Sequence, residues 1–104
     1  MKVLMTCAGG MSSSFIAKAI EKEGKLRNPE FTIEAIGEPR IKEYIKKQSY
    51  DIIIIAPQIR FVYKNVLKLV EGTDIKVMVI EGKYYTPLRV AGLLDEMEKV
   101  VNSN

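Results

Sequence analysis

The sequence predicts an α/β protein with an open, doubly wound parallel sheet of four strands and helices on both faces. Short apolar segments alternate with segments of helical periodicity along the whole chain, and the apolar segments carry almost no polar side chains. Strands that are apolar on both sides occur in parallel sheets that helices cover on both faces. The 104 residues suffice for one domain and are too few for two, so we expect a single domain over 1–104.

Four apolar segments are the predicted strands. They are 3–5, 31–36, 52–55 and 75–80. The third is a run of four isoleucines, which is typical of a strand buried on both faces. In folds of this class the first strand is usually central, and ligands bind at the carboxyl ends of strands where the strand order reverses. The residues that follow the first strand are therefore expected in the binding crevice.

Segments with helical spacing fill the intervals and give the order β-α-β-α-β-α-β-α. Residues that cap or break helices mark their predicted bounds: Gly24 and Asn28-Pro29 at the end of the first, Pro39 and Pro57 near the starts of the second and third, and Thr86-Pro87 at the start of the fourth. Tyr63 falls on the apolar face of the third predicted helix and is expected in the core.

Composition excludes several classes of function. The net charge is +3, and the lysines are interspersed with glutamates, so no basic stripe indicates nucleic-acid binding. The longest apolar run, 52–56, is too short to cross a bilayer, and Met1-Lys2 leads into a strand and not into a signal peptide. We therefore expect a cytoplasmic protein that is not inserted in a membrane.

The nucleophiles and metal ligands are few. The chain has a single cysteine, so no internal disulfide can form, which fits a reducing compartment. It has no histidine, which excludes histidine-based catalytic triads and histidine-ligated metal sites. We expect no metal and no cofactor.

The one thiol, Cys7, ends the first apolar segment and precedes a small-residue segment and a helix. That segment contains Ala8, Gly9, Gly10, Met11, Ser12, Ser13 and Ser14. The amides of such a loop and of a helix N-terminus converge on one point, which is a common way to bind phosphate. Glycines let the backbone curl, and serines supply hydroxyl donors. A thiolate in this cradle is a nucleophile, so the pattern indicates covalent phosphoryl chemistry on sulfur.

Each feature of this loop also has a purely structural interpretation. A lone cysteine is commonly a small buried side chain, Gly-Gly after a strand is commonly a turn, and serine near a helix start is commonly a cap. The coincidence of these features at one strand end supports a functional role for the loop without excluding a purely structural one. No charged residue lies between Lys2 and Lys18, so the loop would hold a dianion with neutral donors unless a cation such as Arg60 reaches it from elsewhere.

Two segments resemble the enzyme IIB component of the bacterial phosphoenolpyruvate-dependent sugar phosphotransferase system, lactose/cellobiose class. After its cysteine that family has Gly-Met-Ser-Thr-Ser or a close variant; here 10–14 read Gly-Met-Ser-Ser-Ser, with Ser13 where threonine is usual. At the end of the third strand the family has Gly- or Ala-Pro-Gln-Ile, and 56–59 read Ala-Pro-Gln-Ile. Length and element order also fit, and the implied architecture is that of the low-molecular-weight tyrosine phosphatases.

The resemblance implies a role for each residue of the loop. Cys7 would accept a phosphoryl group from a phosphohistidine on the IIA partner and pass it to a sugar imported by the IIC membrane protein. The cradle would be Ala8, Gly9, Gly10, Met11, Ser12 and Ser13, with Ser14, Pro57 and Gln58 as rim or partner contacts. Met11 and Phe15 would add apolar contact with a partner. The family also implies a β-linked disaccharide such as cellobiose or chitobiose, and we expect a monomer.

Three other interpretations remain open. A low-molecular-weight tyrosine phosphatase needs arginine six residues after its cysteine, where this chain has Ser13, and an acidic residue on a late loop, where Asp95 falls in a helical pattern. The chain could also be a non-catalytic binding module with a redox-sensitive thiol, but it has no second cysteine with which Cys7 could form an internal disulfide. Galactitol-type IIB proteins also begin their loop with cysteine, but with different spacing.

Overall fold

The computed structural model describes residues 1–8 and 11–103, and of residues 11–13 it describes the backbone. Within this part of the chain, four strands alternate with four α-helices in the predicted order. The strands are β1 (Lys2–Cys7), β2 (Thr32–Gly37), β3 (Ile52–Ile55) and β4 (Lys76–Val79). The helices are α1 (Met11–Arg27), α2 (Ile41–Lys47), α3 (Tyr63–Leu69) and α4 (Val90–Val101).

The strands form one parallel sheet in the order β2-β1-β3-β4. The first strand is central, as predicted: Met5 pairs with Ala35 of β2 on one side and with Ile54 of β3 on the other. Because the chain moves to opposite sides of β1 on its two crossovers, the strand order reverses there. The carboxyl end of β1 therefore lies at the point where α/β sheets of this class bind ligands.

Alternate side chains of β1 enter two separate cores, one on each face of the sheet. Val3, Met5 and Cys7 pack on the face covered by α1 and α4. Leu4 packs on the other face, under α2 and α3. The isoleucines of β3 divide between the two cores in the same way, and all four are fully buried. The doubly apolar sequence of the strands is thus explained by helices on both faces.

The prediction that Gly24 helps to end the first helix is wrong. The helix continues to Arg27, and Gly24 is buried with the ring of Phe31 against it, where a β-carbon would collide with the ring. Glycine is required at this position by close packing and not by a turn. The Asn28-Pro29 signal is correct, since the amide of Asn28 donates the last helical hydrogen bond, to Gly24 O at 2.9 Å.

The prolines stand at the starts of helical segments as predicted, but each segment begins as a 3₁₀ turn. These turns are Glu38–Arg40, Pro57–Val62 and Pro87–Arg89, and each leads directly into an α-helix. Thr86 occupies the N-cap position of the last turn, although its side chain makes no capping hydrogen bond to the described residues. The tighter winding changes the phase of the helix that follows.

One side chain anchors the carboxyl-terminal end of α1 to α4. The guanidinium of Arg27 donates to Glu23 at 3.3 Å, Asp95 at 2.9 Å and Glu98 at 2.6 Å, and to the carbonyl oxygen of Ala91 at 3.0 Å. The hydrogen bond to Glu98, together with those to Asp95 and Glu23, raises the pKa of Arg27 further above its ordinary value. The two long helices on the Cys7 face are therefore fixed to each other at the edge of the sheet opposite the thiol.

Candidate functional site

The two sequence segments that resemble the IIB family follow neighbouring strands of the sheet. Thr6 of β1 pairs with Ile55 of β3, and the amide of Ala56 donates to Thr6 O at 2.9 Å. Cys7 and Ala56 therefore follow neighbouring strands at the same edge of the sheet, which we call the carboxyl edge. The adjacency expected from the sequence is present, because parallel strands bring their carboxyl ends together.

The side chain of Cys7 is largely buried, which differs from the open thiolate that the loop pattern suggests. It is a free cysteine with 9% of its surface exposed, and it packs in the core formed under α1 and α4. The cause is strand alternation, which turns Cys7 to the same face as Val3 and Met5. The next residue, Ala8, is exposed. The sulfur thus lies at the border of the core, on the residue that ends β1 at the carboxyl edge.

The amino-terminal end of α1 lies at the same edge of the sheet. Gly9 and Gly10 lie outside the described residues, as do the side chains of Met11, Ser12 and Ser13, whereas Ser14 is exposed. The first turn of α1 contains no acidic residue. Its first amides have no acceptor within the helix, and the helix dipole places partial positive charge at this end. The backbone of α1 therefore offers the carboxyl edge donors suited to an anion.

The segment after β3 forms the adjoining rim. Pro57 is half-buried and Gln58 is exposed, at the start of a 3₁₀ turn. Arg60, considered as a cation that could reach the loop, donates from Nη1 to the carbonyl oxygen of Pro57 at 3.1 Å and is exposed. This contact holds the guanidinium beside the Pro57-Gln58 rim.

Sequence reasoning missed Thr6, which is fully buried one residue before the thiol. Its hydroxyl has no hydrogen-bond partner among the described residues, and its side chain points to the face opposite Cys7. A buried hydroxyl without a partner costs about 1–3 kcal/mol relative to a paired one. The available signal was a polar residue within an otherwise apolar strand.

The loop after β4 is fixed to α4 by an aromatic contact. The ring of Tyr84 packs against Gly92, where a β-carbon would collide with it, and Lys83 lies over the same ring at 5.1 Å from its centroid. The Tyr84 contact is loop packing, and it holds the segment that leads into α4.

Comparison with known proteins decides the family. A sequence model described as "PTS system, Lactose/Cellobiose specific IIB subunit" matches residues 2–96, which include both motif segments. The chain belongs to this IIB family. Its members are sugar phosphotransferases, and IIB components work with IIA and IIC components of the same system. The resemblance inferred from the sequence is confirmed, and it favours a IIB component over a phosphatase.

Individual relatives agree with the family match. The IIB chain is 30% identical over 84 residues to the oligo-beta-mannoside-specific EIIB component of Bacillus subtilis (strain 168), covering 81% of this chain and 80% of the relative. It is 29% identical over 86 residues to the lactose-specific EIICB component of Lacticaseibacillus casei, covering 83% of this chain but only 15% of that longer protein.

A solved structure of the same class supports the fold. The lactose-specific IIB component domain from Streptococcus pneumoniae superposes on the IIB chain with a TM-score of 0.75 at 26% identity, covering 92% of this chain and 95% of that one. The predicted fold class, a doubly wound parallel α/β sheet, is confirmed. None of the helices found within 1–8 and 11–103 is both long and apolar enough to span a bilayer.

Proposed function

We propose that this IIB chain is a phosphoryl carrier in which Cys7 takes a phosphoryl group from a phosphohistidine of a IIA protein and delivers it to a sugar entering through a IIC membrane protein. The observation that carries the proposal is the position of the only thiol. It ends the central strand at the switch point of the sheet, one short loop before the N-terminus of a 17-residue helix. We treat 1–104 as one IIB domain.

The first step is a substitution at phosphorus. The thiolate Sγ of Cys7 attacks the phosphorus, an S–P bond forms, and the P–N bond to the donor imidazole breaks. The bonding electron pair stays on the imidazole nitrogen, and the ring leaves as neutral imidazole because a proton is already on its other nitrogen or is taken up from solvent. No histidine is needed in this chain, because the donor supplies it and a thiolate attacks without a local base.

The charge around Cys7 fits a group that is held and then passed on. The phosphoryl group on sulfur carries close to two negative charges near neutral pH. No ionisable side chain other than Cys7 occurs from Val3 to Ala17, so the cradle proposed for Ala8 to Ser13 acts through amides and hydroxyls. Neutral donors stabilise the dianion without supplying an acid to the leaving sulfur. We expect the phosphorylated chain to resist hydrolysis until the acceptor arrives.

In the second step a sugar hydroxyl oxygen attacks the same phosphorus. The S–P bond breaks, sulfur leaves as a thiolate, and the hydroxyl proton passes to a base outside the described site. We propose a β-linked disaccharide such as cellobiose or chitobiose as the sugar, on the family resemblance. The relatives named for oligo-beta-mannosides and lactose support a β-linked class. We expect the choice among these sugars to lie largely in the IIC protein.

The burial of Cys7 limits how both partners approach. With 9% of its surface exposed, the thiol requires a close approach, and we expect both partners to make it at the carboxyl edge, beside Ala8 and the Pro57-Gln58 rim. Pro57 and Gln58 are therefore proposed as rim contacts, with Ser14 on the opposite side. Two partners that use one narrow approach must bind in turn, which suits a monomeric cytoplasmic carrier that needs no cofactor.

The test is phosphoryl transfer from phosphoenolpyruvate through the upstream proteins, followed by intact mass. We expect the wild-type chain to gain one phosphoryl group and Cys7→Ala to gain none. Thr6→Val is the matched control, since it changes the neighbouring buried position and leaves the sulfur in place. Failure of the wild type to gain mass, or release of phosphate from an aryl phosphate, would contradict the carrier and favour a phosphatase.

A further inference from the structure

Three of the six exposed large apolar side chains among the described residues lie on α1 or next to it, and the other three, Phe61, Tyr63 and Leu67, lie on the segment after β3. Phe15, Leu26 and Leu88 are 61%, 75% and 94% exposed, and the first two share a helix face. Phe15, Ala19, Lys22 and Leu26 follow one another at intervals of four, three and four residues, so they form one stripe about 16 Å long. Ile16, Ile20 and Gly24 are the buried residues described in α1, and Ala19 packs partly against the core, so Phe15, Lys22 and Leu26 form the exposed part of the stripe.

A groove runs beside this stripe. A cavity of about 340 Å³ is lined by α1 and by the segment that opens α4: Ala19, Lys22, Glu23, Leu26, Pro87 and Val90. We call it the α1–α4 groove. Leu88 lies in the 3₁₀ turn between two of the lining residues and is the most exposed of the large apolar side chains described. A concave apolar surface with protruding leucines on both sides is typical of a site for an amphipathic helix.

The charges around the groove are positive. Lys18, Lys22 and Arg89 are exposed and form no ion pair with any described carboxylate. The one acidic residue of the lining, Glu23, is already bonded to Arg27 at 3.3 Å. Asp95 and Glu98 on α4 are bonded to the same arginine. The groove therefore presents cations to a partner, while its own carboxylates are occupied.

This charge pattern selects the occupant. In a two-fold dimer of this chain the same patch would face itself, so the positive charges of Lys18, Lys22 and Arg89 would repel those of the second copy. The net charge of +3 would add to this repulsion. A flat anionic lipid surface would not fill a concave groove. A helix with leucine-like residues on one face and carboxylates beside them matches both the shape and the charge.

The stripe beside the groove extends toward the approach to Cys7, because Phe15 lies in the second turn of the helix that begins at the carboxyl edge. We propose that the phosphoryl donor IIA seats an acidic amphipathic helix in the α1–α4 groove, with Phe15, Leu26 and Leu88 as its anchors. This inference rests on the proposed function. The donor's phosphohistidine would then reach Cys7 past the end of the stripe where Phe15 lies.

The experiment measures the rate of Cys7 phosphorylation against IIA concentration by intact mass. In the double variant Leu26→Ser/Leu88→Ser we expect the half-saturating IIA concentration to rise about ten-fold or more, because buried anchors carry most of a docking energy. The maximal rate should stay within about two-fold, since the sulfur and its loop are unchanged. Leu67→Ser is the matched control: an exposed leucine on α3, on the other side of the sheet.

Charge gives a second readout. Lys22→Glu should also raise the half-saturating concentration, and its difference from wild type should shrink at high salt, as rim electrostatics are screened. All three variants lie on the surface, and their folding is checked by thermal unfolding.

Defined outcomes would overturn the inference. If the double variant behaves like Leu67→Ser while Cys7 is still phosphorylated, the groove is not the donor site and the carrier function stands. If wild type is never phosphorylated, the carrier function fails and this inference with it. If the chain forms a dimer and Leu26→Ser dissociates it, the groove binds a second copy. If the chain binds phosphatidylglycerol vesicles and Leu26→Ser abolishes that binding, the groove is a membrane site.

Discussion

The two ends of α1 differ in how they use charge. At the carboxyl-terminal end, Arg27 donates to three carboxylates and one backbone carbonyl on α1 and α4. At the amino-terminal end, no charged side chain occurs before Lys18, and the first turn has no acidic residue. The carboxyl-terminal end is occupied by ion pairs, whereas the backbone donors of the amino-terminal end have no charged partner among residues 1–8 and 14–103.

The two ends of α1 therefore have different roles: contacts at the carboxyl-terminal end orient the helix, and the amino-terminal end is available to bind an anion. The helix is oriented by a charged contact and by the Gly24–Phe31 packing, both far along α1 from the thiol. Its first turn can then keep free amides and partial positive charge at the carboxyl edge, available for an incoming anion. Loss of the Arg27 contacts or of the Gly24–Phe31 packing should therefore lower stability and spare transfer, while a charge added to the first turn should mainly alter transfer.

The largest expected effect on stability is at Gly24. Gly24→Ala puts a β-carbon into the ring of Phe31, and we expect a net loss of about 2 kcal/mol in the free energy of unfolding, measured by urea denaturation. Gly82→Ala is the control, since nothing lies within 4 Å of its added β-carbon. A gain in stability at Gly24, as helix propensity alone would give, would contradict the close packing.

Removal of the Arg27 contacts should have the next largest effect. Arg27→Met keeps much of the side-chain volume and loses all four hydrogen bonds, so we expect a loss of about 1–2 kcal/mol, reduced by partial exposure to solvent. Lys99→Met, which removes an exposed pair with Glu96 at 3.5 Å, should cost less than about 0.5 kcal/mol. Equal losses in the two variants would show that the network adds nothing beyond an ordinary surface pair.

The third prediction concerns the near end. Ser14→Asp adds a negative charge to the first turn of α1, which should stabilise the helix by about 0.3–1 kcal/mol. The same charge repels a phosphoryl dianion, and we expect phosphorylation of Cys7 to slow about ten-fold, the change that about 1.4 kcal/mol produces. Ser14→Asn is the uncharged control. Unchanged transfer kinetics would show that the phosphoryl group does not lie near this end of α1.

Much of the fold follows from the sequence, because it depends on local pattern. The isoleucine run fixes β3, and the strict alternation of strands and helices implies a parallel sheet with β1 at its centre. The neighbouring positions of the Cys7 loop and the Ala56–Ile59 segment follow from that topology.

What the sequence could not provide depends on packing between distant residues. Gly24 is read as a helix end unless Phe31 is known to lie against it. Tyr63, expected in the core, is 36% exposed, because the 3₁₀ turn before α3 shifts the helical phase. The burial of Cys7 depends on how α1 and α4 cover the sheet. Except for the contact with Glu23, the Arg27 contacts join residues that are 64 to 71 positions distant in sequence.

The central claim is that the uncharged end of α1 holds a phosphoryl group on the sulfur of Cys7. The most direct measurement is the ³¹P NMR spectrum of the phosphorylated chain, native and after unfolding. The account predicts a single resonance characteristic of phosphorus bonded to sulfur, perturbed in the folded protein by Ser14→Asp and absent in Cys7→Ala. A resonance of a phosphoserine ester, or one that persists in Cys7→Ala, would contradict it.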